Sequence, residues 1–260
     1  MSFIQVERDG GVLLITLNRP EVLNAFNADM ARQMQEALGA ASADRTVRAL
    51  LLTGAGRAFC AGQDLASVPL DGAVQPDLGA IVRSQYNPIV KALVAMPKPV
   101  VCAVNGVAAG AGANLALACD IVIASVRASF IQSFAKIGLV PDSGGTYLLP
   151  RLVGPARAAG LALLGEALTA QQAKEWGLVW NVYEPEGLMP EALALARRLA
   201  RAPTKGLALT KRALASSWTN DLDTQLELEA SLQGEAGRTR DFLEGVRAFK
   251  EKREADFVGE

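Results

Sequence analysis

The chain has no histidine among its 260 residues. That excludes Ser-His-Asp and Cys-His nucleophilic catalysis and the common histidine zinc sites, and no metal site is expected. Proton transfer must fall to Asp, Glu, Tyr, Lys, Cys or water. Cysteine is scarce: Cys60, Cys102 and Cys119 are far apart, odd in number and outside any Cys-x-x-Cys pair. They read as reduced, buried thiols of a cytoplasmic protein. No apolar run approaches the ~20 residues needed to cross a bilayer. The first seven residues lack the basic region and apolar core of a signal peptide, so no membrane role is expected. A block of one charge is absent as well. The net charge is −1, and the richest basic stretch, 247–253, is interleaved with Glu251 and followed by Glu254. Nucleic-acid binding is not expected.

What is present is apolar bulk: half the residues are hydrophobic, enough for one large domain, or one domain with a helical appendage. Residues 11–17, 47–53, 100–104 and 120–124 read as strands, and 130–131 as a further short one. Between them, 29–43 carries Met30, Met34, Ala37 and Leu38 at the spacing of an amphipathic helix. Residues 59–65 read as a loop and 69–76 as a mobile polar stretch. Residues 78–96 give a long helical pattern, interrupted at Pro88 and ended by Pro97-Lys98-Pro99. Residues 110–119, mostly Ala, Gly and Leu, form a helix suited to close packing. This order favours an α/β domain with right-handed crossovers. From 155 to 257 the chain reads as almost wholly helical. Thr169 with Gln172 makes a capping box, Pro203 suits the first turn of a helix, and Asp241 with Glu244 offers another box.

Three stretches carry the chemistry. In 138–146, a single acid, Asp142, stands between Leu139-Val140-Pro141 and Ser143-Gly144-Gly145, with Tyr147-Leu148-Leu149 beyond. An apolar setting raises a carboxyl pKa and makes a general base at neutral pH; the alternative is that Asp142 caps the helix that follows. Gly110-Ala111-Gly112 opens a helix, yet the third glycine of a dinucleotide fingerprint would fall at Leu115 and is missing, and no phosphate-loop Gly-Lys-Ser/Thr occurs. Such loops also let backbone N–H groups approach a ligand closely. Ala61-Gly62-Gln63 and Gly110-Ala111-Gly112 each offer one donor for a thioester oxygen as it becomes an enolate, unless both are tight merely for packing.

The ordered set Asn18-Arg19-Pro20, Leu23-Asn24-Ala25, residues 59–65, Pro97-Lys98-Pro99-Val100 through Asn105-Gly106, residues 109–120, 138–146 and 244–253 resembles the crotonase superfamily, also called the enoyl-CoA hydratase/isomerase family. The resemblance spans nearly the whole chain. It implies a spiral of ββα turns over 1–200 and a helical trimerisation region over 201–260, assembled as a homotrimer or a dimer of trimers. It implies acyl-CoA substrates, with coenzyme A part of the substrate and no separate cofactor. The two oxyanion donors map to the backbone N–H groups of Gln63 and Ala111. Asn24, Ala25, Ala61, Asp64, Leu65 and Gly110 map to the surface that holds the CoA ester, and Lys252 to a residue reaching a neighbouring subunit's CoA.

The departures from the family pattern sharpen the expectation. Hydratases position a water with two glutamates; Asn114 and Phe134 stand at those places, and neither is an acid or base. Asp142 stands where isomerases of the family often carry an acid. Residues 105–113, 139–146 and 222–226 resemble the branch that rearranges a ring epoxide of an arylacetyl-CoA. The expected activity is an acyl-CoA isomerase, with a general Δ3,Δ2-enoyl-CoA isomerase, a hydratase or a non-catalytic acyl-CoA-binding scaffold as alternatives. Asn114 is expected either to orient substrate or water, or to tie its helix to a loop. Part of the acyl-pocket wall is assigned to 68–79.

Overall fold

Long runs of apolar residues in this chain form strands buried on both faces, the signature of a parallel sheet under helices. The computed structural model describes residues 2–67 and 76–260. Residues 68–75, most of the stretch read above as mobile and as pocket wall, lie outside the described residues. A six-stranded sheet contains β1 (Ile4–Asp9), β2 (Val12–Leu17), β3 (Ala49–Gly54), β5 (Val100–Val104), β7 (Ile121–Ser125) and β10 (Asn181–Tyr183), in the order β1-β2-β3-β5-β7-β10. A four-stranded sheet contains β4 (Ala58–Cys60), β6 (Val107–Ala109), β8 (Ser129–Ile131) and β9 (Ala167–Thr169), in that order. Each turn of chain gives one strand to each sheet: β3 then β4, β5 then β6, β7 then β8. This is the α/β spiral of ββα turns. Among the described strands only the β1–β2 hairpin and the β8–β9 pair are antiparallel.

Helices fill the intervals. α1 (Ala28–Ala43) is capped by Asn27 and buries Met30, Ala31, Met34, Leu38 and Ala41. α2 (Leu78–Ile81) and α3 (Asn87–Ala95) are joined by a π-turn, Val82–Tyr86. The interruption expected at Pro88 thus falls earlier. Pro88, with no N–H to donate, is accommodated in the first turn of α3, and the extra residue is taken up by the π-turn. α4 (Ala111–Leu117) is buried along its whole length. α5 (Gly145–Val153), α6 (Pro155–Leu164) and α7 (Ala170–Glu175) follow, the last with the Thr169–Gln172 capping box in place. α8 (Pro185–Ala200) lays Leu188, Ala192, Ala196 and Ala200, spaced four apart, on Val12, Leu51, Val101 and Ile123 of the six-stranded sheet. The larger core lies on the other face of that sheet, among the second sheet and helices α1, α3 and α4.

Two expectations for the second half need correcting. Residues 155–257 are not wholly helical, because β9 and β10 add one strand to each sheet; at three residues each they are too short for any periodicity to announce them. The remaining helices are α9 (Thr204–Ser216), preceded by Pro203 as its N-cap, α10 (Leu222–Ala236) and α11 (Arg240–Glu251). Asp241 and Glu244 form no capping box. Thr239 caps α11 by accepting from the Phe242 N–H, while the buried Asp241 carboxylate accepts the N–H groups of Val258 and Gly259 at 2.8 Å and pins the C-terminal tail. Among the described residues no helix is long and apolar enough to cross a membrane.

One close approach sets the site's position. A Cβ on Gly112 would lie 2.3 Å from the Cys60 carbonyl oxygen and 2.7 Å from its Sγ, so only glycine lets α4 sit this tightly on β4. Gly112→Ala is expected to destabilise the protein by about 1–3 kcal/mol through overpacking. Denaturant unfolding should show a lower midpoint at unchanged slope; an unchanged midpoint would contradict the packing described.

Candidate active site

Two loops meet at the start of α4. Gly62 has φ of +90°, and a Cβ there would stand 2.9 Å from the Ala109 carbonyl oxygen and 3.3 Å from the Ala111 nitrogen. The glycine therefore brings the Gly62-Gln63 and Gly110-Ala111 segments into van der Waals contact. A bridge to Phe26 fixes the first loop: the Phe26 N–H donates to Gly62 O (2.7 Å) and the Asp64 N–H to Phe26 O (2.9 Å). This bridge leaves the Gln63 N–H outside it. Ala111 is the first residue of α4, where an N–H has no acceptor within its own helix. The two expected donors thus lie on adjoining backbone, one of them at the positive end of the helix dipole.

The third group is Asp142. Its carbonyl accepts from Asn114 Nδ2 and from the Gly145 N–H, both at 2.8 Å, so the loop is tied to α4. Its half-buried carboxylate accepts from Ser143 Oγ at 2.9 Å. The N-cap of α5 is Gly144, with no side-chain cap bond. The Asp142 side chain therefore does not cap that helix, which removes the alternative left open by the sequence. Of the apolar residues expected around it, Leu148 and Leu149 are buried, whereas Val140 is 70% exposed. Burial pushes the Asp142 carboxyl above its usual range, partly offset by the Ser143 hydroxyl.

Two further titratable groups lie close by. Tyr86, which sequence reasoning missed, is buried and donates its hydroxyl to Gln63 Oε1 at 2.5 Å. Burial, with the charges of Cys60, Asp142 and Asp64 adding, holds its phenol far above the ordinary value. Burial also pushes the Cys60 thiol up to about 12, and its Sγ donates to Asn24 O. Both keep their protons near neutrality. Asp142 is the group placed to exchange one.

Several expected ligand contacts face inward instead. Asn24 is fully buried; its Nδ2 donates to Ala55 O and Ala58 O at 2.9 Å and to Phe59 O at 3.1 Å, and its Oδ1 accepts from the Arg19 N–H. Ala25 is buried beside it, its carbonyl taken by Arg19. Both are struts of the loop rather than exposed contacts. Asp64 is ion-paired to Arg19 at 3.0 Å. Ala61 is half-buried and donates its N–H to Leu23 O, while Leu65 is exposed. Gly110 is buried, and its N–H donates to Ile131 O. Asn114 is fully buried, with Oδ1 accepting from Gln132 Nε2 at 2.8 Å. Of its two expected roles, the structure shows the tie between helix and loop. Phe134 is buried, its ring 3.7 Å from where a Cβ of Gly110 would stand. Lys252 is exposed at the C-terminal end of α11, where its backbone is left-handed at φ of +55°.

The profile of the enoyl-CoA hydratase/isomerase family matches residues 7–260. The chain belongs to the enoyl-CoA hydratase/isomerase family. It is 56% identical over 260 residues to the 1,2-epoxyphenylacetyl-CoA isomerase of Escherichia coli, covering 100% of this chain and 99% of that one. It is 42% identical over 258 residues to the trans-2-decenoyl-(acyl-carrier-protein) isomerase of Streptococcus mutans, covering 96% of each. The solved enoyl-CoA hydratase of Bacillus anthracis superposes with a TM-score of 0.93 at 34% identity, over the full length of both chains. The crotonase fold expected from the motifs is therefore the fold of this chain.

Burial raises the pKa of Asp142 in the folded protein above its unfolded value, so the folded state holds that proton more tightly. Its contribution to stability is complete at acid pH and is lost as pH rises through the folded pKa. Asp142→Asn, neutral throughout, is expected to be more stable than wild type at neutral pH, with the gain vanishing at acid pH. Denaturant unfolding at both pH values checks this, and a variant less stable at neutral pH would contradict it.

Proposed function

We propose that the chain is an acyl-CoA isomerase that converts 2-(1,2-epoxy-1,2-dihydrophenyl)acetyl-CoA to its oxepin isomer and shifts a double bond next to a thioester. One observation carries the reading. A half-buried carboxyl raised above its usual range, Asp142, is tied to the helix that opens on Ala111, while Asn114 and Phe134 occupy the positions where hydratases place acids. The 56% identity to a relative named as the epoxide isomerase supports the substrate class.

In this reading the N–H groups of Gln63 and Ala111 hold the thioester oxygen. For a 3-enoyl-CoA, Asp142 removes a proton from C2, and the electron pair forms an enolate that the two donors stabilise. The same carboxyl returns the proton at C4 as the double bond settles between C2 and C3. One group suffices because it is base first and acid second. The epoxide-to-oxepin conversion is likewise an isomerisation, so neither reaction calls for a cofactor beyond the substrate's own CoA. The relative from S. mutans, named as an isomerase of an unsaturated acyl chain, favours a second reading as a general Δ3,Δ2-enoyl isomerase acting through the same groups.

We further assign 1–200 to the spiral core and 201–260 to an oligomerisation region, in a cytoplasmic homotrimer or dimer of trimers. Leu214, Leu222, Leu226, Phe242, Leu243 and Phe249 all stand exposed on α9 to α11, apolar surface available for subunit contact.

Wild type and Asp142→Asn, given a 3-enoyl-CoA in D2O and then the ring epoxide, test the chemistry. Wild type is expected to isomerise with deuterium entering at C2 or C4, and the variant to lose roughly 100- to 10,000-fold in rate. Hydration without isomerisation, or equal rates in both proteins, would overturn the assignment. Light scattering is expected to give a trimer or hexamer mass, and a monomer would overturn the assembly.

A further inference from the structure

Gln63 is held twice. Its backbone is bracketed by the Phe26 bridge, and its side chain accepts the Tyr86 hydroxyl at 2.5 Å. The two holders touch each other, with ring centroids of Phe26 and Tyr86 6.1 Å apart in a tilted contact. Tyr86 is 2% exposed and Phe26 is fully buried, so the clamp has a rigid base. Tyr86 comes from a different element, the last residue of the π-turn Val82–Tyr86, where the Asn87 N–H reaches back to Val82 O. An α-helix advances ~100° per residue, so the additional residue of this turn rotates Tyr86 by that amount relative to an unbroken helix. Single π-turns of this kind recur at functional sites. The buried phenol keeps its proton, which makes it a permanent donor to Gln63.

We propose that Tyr86 is a positioning residue for isomerisation: by holding the Gln63 side chain, its hydroxyl fixes the direction in which the Gln63 backbone N–H meets the thioester oxygen. The proposal rests on the reading of Gln63 and Ala111 as oxyanion donors. A donor is effective only when aimed at the place where charge develops, so a loosened Gln63 loses transition-state stabilisation rather than substrate affinity.

The test compares Tyr86→Phe, Gln63→Ala and the double variant. Tyr86→Phe keeps the ring in the core and removes only the hydroxyl; Gln63→Ala removes the acceptor from a half-buried position and retains the backbone N–H. Each is expected to lower kcat for a 3-enoyl-CoA roughly 5- to 20-fold, the scale of one lost hydrogen bond, with KM within about two-fold. The double variant is expected to be no slower than either single one, because both remove one interaction. The infrared carbonyl stretch of bound cinnamoyl-CoA supplies a reading that loss of packing would not move. Its shift from the free value is expected to shrink in both single variants.

Wild-type kcat in Tyr86→Phe, multiplicative losses in the double variant, or a carbonyl shift that Tyr86→Phe leaves intact would each overturn the role of Tyr86 alone. If Tyr86→Phe fails to fold, Gln63→Ala decides by the same kcat and carbonyl readings. A bound thioester with no carbonyl shift in wild type would overturn the oxyanion-hole reading and this proposal with it. Full activity in Asp142→Asn would overturn the base and leave the test of Tyr86 standing.

Discussion

The amide of Asn114 joins the parts of this site. Its Nδ2 donates to the carbonyl of Asp142, and its Oδ1 accepts from Gln132. Asn114 follows Ala111 by three residues on one helix, a rise of ~4.5 Å, so the loop bearing the carboxyl is set at a distance from the Ala111 N–H that helix geometry dictates. Gly145 completes the joint: a Cβ there would fall 2.3 Å from Asn114 Nδ2, and any side chain would push the loop away. A buried amide with both ends satisfied rigidifies what it links, because leaving either end unpaired is costly. The helix is itself pressed on β4 through Gly112, and Gly62 locks the second loop against it. The two glycine loops and the carboxyl thus share one rigid frame.

The same amide explains how one fold divides its chemistry. An acid at position 114 would bring a second charge beside Asp142; the amide brings a neutral tie. Phe134 places a buried ring near the start of α4, and a phenyl ring is neither an acid nor a base. Beside the ion-paired Asp64, the site holds the half-buried Asp142 carboxyl with its raised pKa, and near it a phenol and a thiol that burial keeps protonated. With Asp142 as the base, as proposed, such an arrangement suits moving a proton from one carbon to another.

Much of the architecture was legible because β2, β3, β5 and β7 are continuous apolar runs. β1 was not recognised: its pattern leaves four consecutive residues exposed at a sheet edge, so no buried face marks it. β4, β9 and β10 are three residues long and carry no period. In the site, the glycine loops were legible because close backbone approach demands glycine whatever the ligand. Side-chain direction was not. Asn24 and Asn114 were recognised as residues of note, yet both turn inward, Asn24 from a left-handed backbone at φ of +56°. Asp142 before two glycines suits a cap and a base equally well, and only the bond pattern at Gly144 separates them. Tyr86 stayed hidden because a π-turn shifts the phase on which helical reading depends.

The fate of the three thiols reaches beyond the chemistry of the site. Cys60, Cys102 and Cys119 are all buried, and burial raises the pKa of Cys60 and Cys102 so that little reactive thiolate forms. The native chain is thereby a quiet background for thiol labelling. A cysteine introduced on the surface of α11 or beside the Asp142 loop would react long before the native three. Spin labels or fluorophores could then report distances within the molecule without first stripping the core of sulfur.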